Sequence, residues 1–311
     1  MDFLLLIAGL VGLWLGTELT IGGALAIARR YRLSELFVGL VILSIGSDLP
    51  EIAVAIGAGI KGLGGIDASG VVVGTSIGSI VTQISFVLGV GALLSALTLP
   101  REFLARHGIV LLASTVLLFL VGMDGAISRM EGLALIGFYA AYVVTLMKRS
   151  VPTQHDHSEV SRGGPGSWAL LAVGLATVIL GSDITVNSVV NIAHTFQVSE
   201  VLISVLIIGL GTSLPELSIS VSAIIKRRTQ MSVGNIIGSN ILDTLLPIGI
   251  AALISTVRFD TDLLWFDLPY IFVLSAIVLA LFTSRDGLRR KQGLVLLTLY
   301  GIYVVSKLMQ F

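Results

Sequence analysis

The chain has 311 residues, 55% of them apolar and only 12% charged, with mean hydropathy +1.00, whereas an ordinary soluble chain carries about 25% charged residues. Its 19 basic and 19 acidic residues cancel, which gives no reason to expect nucleic acid or an acidic partner. The absence of cysteine excludes disulfides, thiolate metal sites and cysteine nucleophiles and leaves the redox compartment open.

Apolar runs separated by short charged turns fall at about 3–28, 34–60, 69–97, 105–122, 131–147, 167–192, 200–225, 233–255, 262–283 and 292–308. Ten spans of about 20 residues use roughly 200 and leave no room for a large soluble domain. The expected fold is therefore an all-α polytopic membrane protein with ten transmembrane helices. A closed barrel would alternate apolar and polar residues in segments of about ten, and no such alternation occurs. The first run has no positive flank and is too long for the apolar part of a signal peptide, so it is read as a true span.

Fifteen of the nineteen basic residues sit in alternate turns, from Arg29, Arg30 and Arg32 through Arg289, Arg290 and Lys291, and only Lys61, Arg129, Arg258 and Lys307 lie on the other side. The positive-inside rule then puts both termini outside the cytoplasm of a cell (inner) membrane. The polar stretch 148–166 is rich in Ser, Gly, Pro and charge and reads as a cytoplasmic linker between a first five-helix repeat, 1–147, and a second, 167–311. His155, Asp156 and His157 within it are metal-ligand types, but flexible polar linkers often carry such residues without any site.

The two halves repeat. GTELT at 16–20 matches GSDIT at 181–185, Ser34-Glu35 matches Ser199-Glu200, and GSDLPE at 46–51 matches GTSLPE at 211–216, all at an offset of 165. GTSIGS at 74–79 matches GNIIGS at 234–239 at an offset of 160. Five helices per repeat is an odd number, so the second half enters the membrane from the opposite side. Inverted repeats of this kind are an architecture of secondary transporters, with a site near the midplane.

The matched segments are the polar ones. Ser47, Asp48 and Glu51 lie three and four apart on one face of the second run, and Pro50 cannot donate to the carbonyl of Gly46, which opens that turn. Thr212, Ser213, Pro215 and Glu216 repeat the arrangement in the seventh run, while Ser79 and Gln83, and Ser239 and Asp243, are again four apart. A charge at the bilayer centre costs about 2.5 to 3.5 kcal/mol on insertion scales. Asp48, Glu51, Glu216 and Asp243 have no Lys, Arg or His within these stretches, so the expected countercharge is a bound cation. Carboxylate, hydroxyl, amide and carbonyl oxygens are hard ligands that suit calcium or sodium. Protonated carboxylates in a hydrogen-bond network are the alternative.

At these residues the chain resembles the sodium/calcium exchanger family, whose two repeats each carry a G-[ST]-S-x-P-E segment followed by G-N-x-x-G-S. The resemblance covers essentially the whole chain. It implies a central site among the second, third, seventh and eighth helices and calcium export driven by sodium, or by protons in some branches. By position, Glu51 and Glu216 would be central calcium ligands. Ser47, Thr212 and Ser213 would serve flanking monovalent sites, Ser79, Ser239 and Asp243 would line the cavity, and the backbone carbonyls near Ser44 and Gly209 would complete the outer sites. Three departures stand out: Asp48 replaces a usual Ser, Gln83 a usual Asn or Asp, and Thr75 a usual Asn.

Glu18 and Asp183 occupy equivalent places in the first and sixth helices, the pair that the resemblance expects to slide. They are read as packing anchors or as participants in gating. No resident cofactor is expected. The resemblance implies that the transported ions would be Ca2+ with Na+ or H+, the surroundings would be the lipid bilayer, and a monomer is expected. An intramembrane enzyme is disfavoured: HExxH is absent, and His107, His155, His157 and His194 are all placed in loops. A cation channel is a remote alternative, since pores are usually built by rings of like subunits.

Overall fold

Two long helices, α1 (Asp2–Arg30) and α8 (Pro165–Phe196), run against each other along much of their length. Glycine makes the approach close. A Cβ at Gly16 would stand 2.9 Å from the carbonyl oxygen of Gly174 and 2.7 Å from the Val178 nitrogen, and one at Gly9 would stand 3.0 Å from the carbonyl oxygen of Gly181. Lipid tails are as apolar as leucine, so membrane helices associate through such backbone proximity rather than through hydrophobic burial. The offset of 165 turns Gly9 into Gly174 and Gly16 into Gly181. The two contacts therefore exchange under the repeat, as a two-fold relation between inverted halves requires. The computed structural model describes residues 2–30, 44–149, 165–196, 199–225, 227, 229–283 and 287–309.

The second and seventh runs are broken helices. α2 (Ser44–Ser47) is followed by α3 (Leu49–Leu63), with Asp48 between them at φ −85° and ψ 8°. In the other repeat α9 (Glu200–Ile203), a π-helical turn (Ser204–Ile208) and α10 (Gly209–Thr212) lead to α11 (Leu214–Ile225), with Ser213 at φ −83° and ψ 2°. Both break residues sit in the sparsely populated bridge region of the backbone map, two positions before a proline that lacks the helical N–H. Ser199 caps α9, its Oγ accepting from the Val201 N–H at 3.1 Å, as the Ser199-Glu200 pair predicts. Ser34 and Glu35 lie outside the described residues.

Between these run α4 (Ser69–Val81), continued through a π-helical turn (Thr82–Val87) into α5 (Leu88–Leu94), and α12 (Thr229–Ile254). Outside them lie α6 (Arg101–Gly122), α7 (Arg129–Arg149), α13 (Leu268–Thr283), which follows a π-helical turn at Leu263–Asp267, and α14 (Arg290–Met309). Two short extended pairings join the turns of the two repeats. β1 (Ala126–Ile127) pairs antiparallel with β2 (Val257–Arg258), and Leu97 bridges Leu288. The offset of 160 carries Leu97 onto Val257, so these pairings are again repeat-related.

Nine helical spans among the described residues are long and apolar enough to cross a membrane. The remaining predicted span, the second run, is represented by α2 and the 15-residue α3, and residues 31–43 before them lie outside the described residues. Most of the linker, including His155 and His157, lies outside them too. The expectation that all histidines occupy loops is wrong for two. His194 is in the last turn of α8, and His107 is buried within α6, where its Nδ1 is 2.9 Å from the Tyr142 hydroxyl. His107 falls inside the apolar run 105–122, where the Tyr142 hydroxyl gives its ring a polar neighbour within the membrane span, and His194 lies just past the run 167–192 on a helix that continues to Phe196.

The four basic residues that break the charge bias are each engaged internally. Lys61 reaches Asp183 and Asn187, Arg129 donates to the Ile254 carbonyl, Arg258 pairs with Asp67, and Lys307 pairs with Asp267.

Candidate cation site

The two broken helices and the two small-residue helices α4 and α12 meet at the predicted polar segments. α4 approaches α10 where Gly78 faces Gly209: a Cβ at Gly209 would lie 2.6 Å from the Cα of Gly78. α2 meets α12 through Ser44, whose Oγ donates to the Asn235 carbonyl at 3.2 Å. Every polar group of the constellation is carried inward. Ser44, Ser47, Asp48, Glu51, Ser79, Gln83, Thr212, Ser213, Glu216, Ser239 and Asp243 are all at most 1% exposed.

Asp48, Glu51 and Asp243 each place one carboxylate oxygen within 4.8 Å of the others. Glu216 lies close to Asp48 and to the Ser47 hydroxyl without reaching hydrogen-bond geometry. Among the described residues, both oxygens of Asp48, both of Glu216, Oε2 of Glu51 and Oδ1 of Asp243 have no hydrogen-bond partner. Among the described residues none of the four carboxylates enters an ion pair. Uncompensated carboxylates without donors are among the costliest groups a protein can bury. An array of such oxygens, brought together from both repeats, has the composition of a coordination shell for a hard cation.

The remaining polar groups orient this array. Ser79 Oγ donates to Glu51 Oε1 at 2.6 Å and lies 2.9 Å from Thr212 Oγ1. Gln83, carried by the π-helical turn after α4, donates Nε2 to Asp243 Oδ2 at 3.0 Å and accepts at Oε1 from Asn240 Nδ2, also at 3.0 Å. Its amide is thus occupied at both ends and positions Asp243. The free amide oxygen is Oδ1 of Asn240, and both side-chain polar atoms of Asn235 and the Ser239 hydroxyl are likewise unpartnered. Ser213 Oγ donates to the Gly209 carbonyl at 2.8 Å, and the Ser44 carbonyl accepts from the Asp48 N–H at 2.9 Å. The Ser44 carbonyl also accepts from Ser47 Oγ at 3.3 Å and the Gly209 carbonyl from the Ser213 N–H at 3.3 Å, so both predicted backbone oxygens already hold more than one donor. Three prolines free further carbonyls: Pro50 that of Gly46, Pro215 that of Gly211, and Pro247, inside α12, that of Asp243 itself.

Glu18 and Asp183 are both exposed on the α1 and α8 pair, and Asp183 is engaged by Lys61 at 3.4 Å. Asn240 and Tyr139 escaped the sequence reading, and Asn235 entered it only as a letter of the GNIIGS segment, not as a site residue. Tyr139, on α7, is buried with its hydroxyl unpartnered and lies within electrostatic reach of Asp48 and Asp243. For the two asparagines a signal existed, since each interrupts an otherwise apolar glycine-rich stretch at 234–240. For Tyr139 none did, because tyrosine is unremarkable in a membrane helix.

The description "Sodium/calcium exchanger protein" belongs to the family model that matches residues 1–148 and 166–309. The chain is 32% identical over 304 residues to the putative antiporter CaxA of Alkalimonas amylolytica, covering 94% of this chain and 93% of that one. It is 27% identical to the sodium/calcium exchanger MaX1 of Methanosarcina acetivorans, covering 98% of this chain and 97% of that protein. Among solved structures it superposes on the sodium-calcium exchanger NCX_Mj soaked with Na+ and Sr2+ at a TM-score of 0.71, with 26% identity over 98% of this chain and 99% of the other. The helices of the chain superpose on those of that exchanger and the family model matches both halves, so the chain belongs to the sodium/calcium exchanger family.

Proposed function

We propose that the protein is a secondary antiporter that exchanges Ca2+ for Na+ by alternating access to the site formed by Asp48, Glu51, Glu216 and Asp243. The observation that carries this reading is the set of unpartnered carboxylate oxygens drawn from both inverted repeats. A divalent ion or several monovalent ions would neutralise them and let the loaded site pass the apolar barrier, whereas the empty, charged site would not pass. That difference makes exchange obligatory and suppresses leak. Hydroxyls of Ser47, Ser79, Thr212, Ser213 and Ser239 and the amide oxygens of Asn235 and Asn240 complete the ligand set, with the Gly46 and Gly211 carbonyls at its rims.

The protein works as a multi-pass component of the cell membrane, surrounded by lipid, with both termini on the extracytoplasmic side and the linker in the cytoplasm. The clustering of fifteen basic residues on one side of the ten runs supports this orientation. A proton-coupled variant is favoured by two features, the extra carboxylate of Asp48 and the Gln at position 83. Both readings are tested in vesicles containing the purified protein. Calcium uptake should be driven by an outwardly directed sodium gradient under Na+ coupling, or by a pH gradient under H+ coupling. Uptake indifferent to both gradients would overturn antiport. Glu51→Gln and Glu216→Gln should each abolish uptake while leaving the protein folded.

A further inference from the structure

Lys61 stands in the last turn of α3, ten residues after Glu51 on the same helix. Its ammonium crosses to α8, donating to Asn187 Oδ1 at 2.6 Å and lying 3.4 Å from Asp183 Oδ1. Asp183 and Asn187 are four apart, so one face of α8 presents both acceptors. The elements joined are of different kinds. α3 carries site ligands, whereas α8 is locked to α1 through the reciprocal glycine contacts and contributes none of the four carboxylates. Along this boundary the surfaces are small: a Cβ at Gly57 on α3 would meet only Ser182 Oγ, at 3.1 Å, and a Val186 methyl.

We propose that Lys61, Asp183 and Asn187 form a reversible latch that holds the α1–α8 pair against α3 in the conformation seen here. By doing so they set the balance between the two access states of the transporter. The inference rests on the proposed antiport. Exposure decides between a latch and a permanent clamp. The Lys61 and Asp183 side chains are 17% and 67% exposed and Lys61 stands in the last turn of α3, so the contact is not sealed inside the protein and breaking it leaves neither charge enclosed in a packed core. The pair Lys307–Asp267, at 2.6 Å and 0% exposure on both sides, is the opposite case and cannot open in every cycle.

The repeat register extends the argument. The offset of 165 carries Lys61 onto Lys226 and Asp183 onto Glu18, but Asn187 onto Gly22. The same two charges thus recur in inverted positions without the amide. Lys226 itself lies outside the described residues, and the proposal rests on Lys61 alone.

The test uses the full chain in oriented vesicles, with half-saturating calcium measured separately at each face. Lys61→Gln and Asp183→Asn should move the two values in opposite directions, by about threefold each, the span expected from losing an exposed pair. The charge swap Lys61→Asp with Asp183→Lys should restore the wild-type ratio. A second readout needs no transport. The chain has no cysteine, so Ser182→Cys supplies a single thiol at the boundary. Its labelling rate should rise about threefold when Lys61→Gln is added. Wild-type vesicles that fail to exchange would count against the antiport reading, and the thiol readout would still judge the latch. Equal changes at both faces, no change at either, or a labelling rate indifferent to Lys61 would overturn it.

Discussion

At Ser79 one hydroxyl proton has several acceptors in reach, and the 2.6 Å contact shows that it goes to Glu51 Oε1. That bond holds a carboxylate that has no other donor for its second oxygen and so decides where Glu51 points. Partners that orient a metal ligand are worth about 10- to 100-fold in affinity. Ser79→Ala should therefore raise half-saturating calcium about tenfold in vesicle uptake, with unchanged thermal stability. Sequence spacing alone put Ser79 and Gln83 on one face as equal candidate ligands. The fold separates them: each donates to a carboxylate of the array, Ser79 to Glu51 and Gln83 to Asp243, but the Gln83 amide oxygen is also taken by Asn240, so Gln83 braces the array from both ends of its amide. The same fold promotes Asn240, whose oxygen Gln83 leaves free. No spacing rule distinguishes a ligand from a brace, since both need the same helical period and differ only in what the neighbouring helix offers.

Between elements, close packing and buried charge set the stability. A side chain at Gly16 would enter the backbone of α8 at Gly174 and Val178. Overpacking of a tight contact costs about 1 to 3 kcal/mol, so Gly16→Val should lower the melting temperature in detergent and loosen the α1–α8 unit. The π-helical turn at Leu263–Asp267 is held to α14 by Lys307 and by the Tyr303 hydroxyl, each 2.6 Å from an Asp267 oxygen. Removing one member of a buried pair costs about 3 to 5 kcal/mol, whereas replacing both with apolar residues is often neutral. Lys307→Met should therefore destabilise strongly, and Asp267→Leu added to it should recover most of the loss in chemical denaturation. On the loops, partial burial pushes the Asp67 carboxyl up, but hydrogen bonds from Ser69 and the Arg258 guanidinium outweigh this and hold it below its ordinary value. A depressed native value contributes stability above the ordinary carboxylate range and loses it as pH falls through the native value. Because this pair is largely exposed, Asp67→Asn should cost less than about 1 kcal/mol at neutral pH, a difference that vanishes in acid denaturation profiles.

Over the whole molecule, inverted symmetry organises both what was legible and what was not. The sequence by itself determined the membrane class, the two repeats and the inward-facing polar segments. Hydropathy and matched motifs are local properties of the chain, and a carboxylate in lipid is forbidden wherever the helix packs. It also located the helix breaks, because Pro50 and Pro215 act on their own helix. Only the tertiary structure decided which oxygens are free. Six carboxylate oxygens find no donor among the described residues because of the way α3, α4, α11 and α12 meet, and no single segment contains that information. It also assigned the four stray basic residues to internal partners up to 191 positions away in the chain, contacts that topology rules count only as charge. The reason is physical. Period and solvation act along the chain and are written in it, whereas the pairing of donors with acceptors across helices depends on ångström distances that exist only once the two halves have folded against each other.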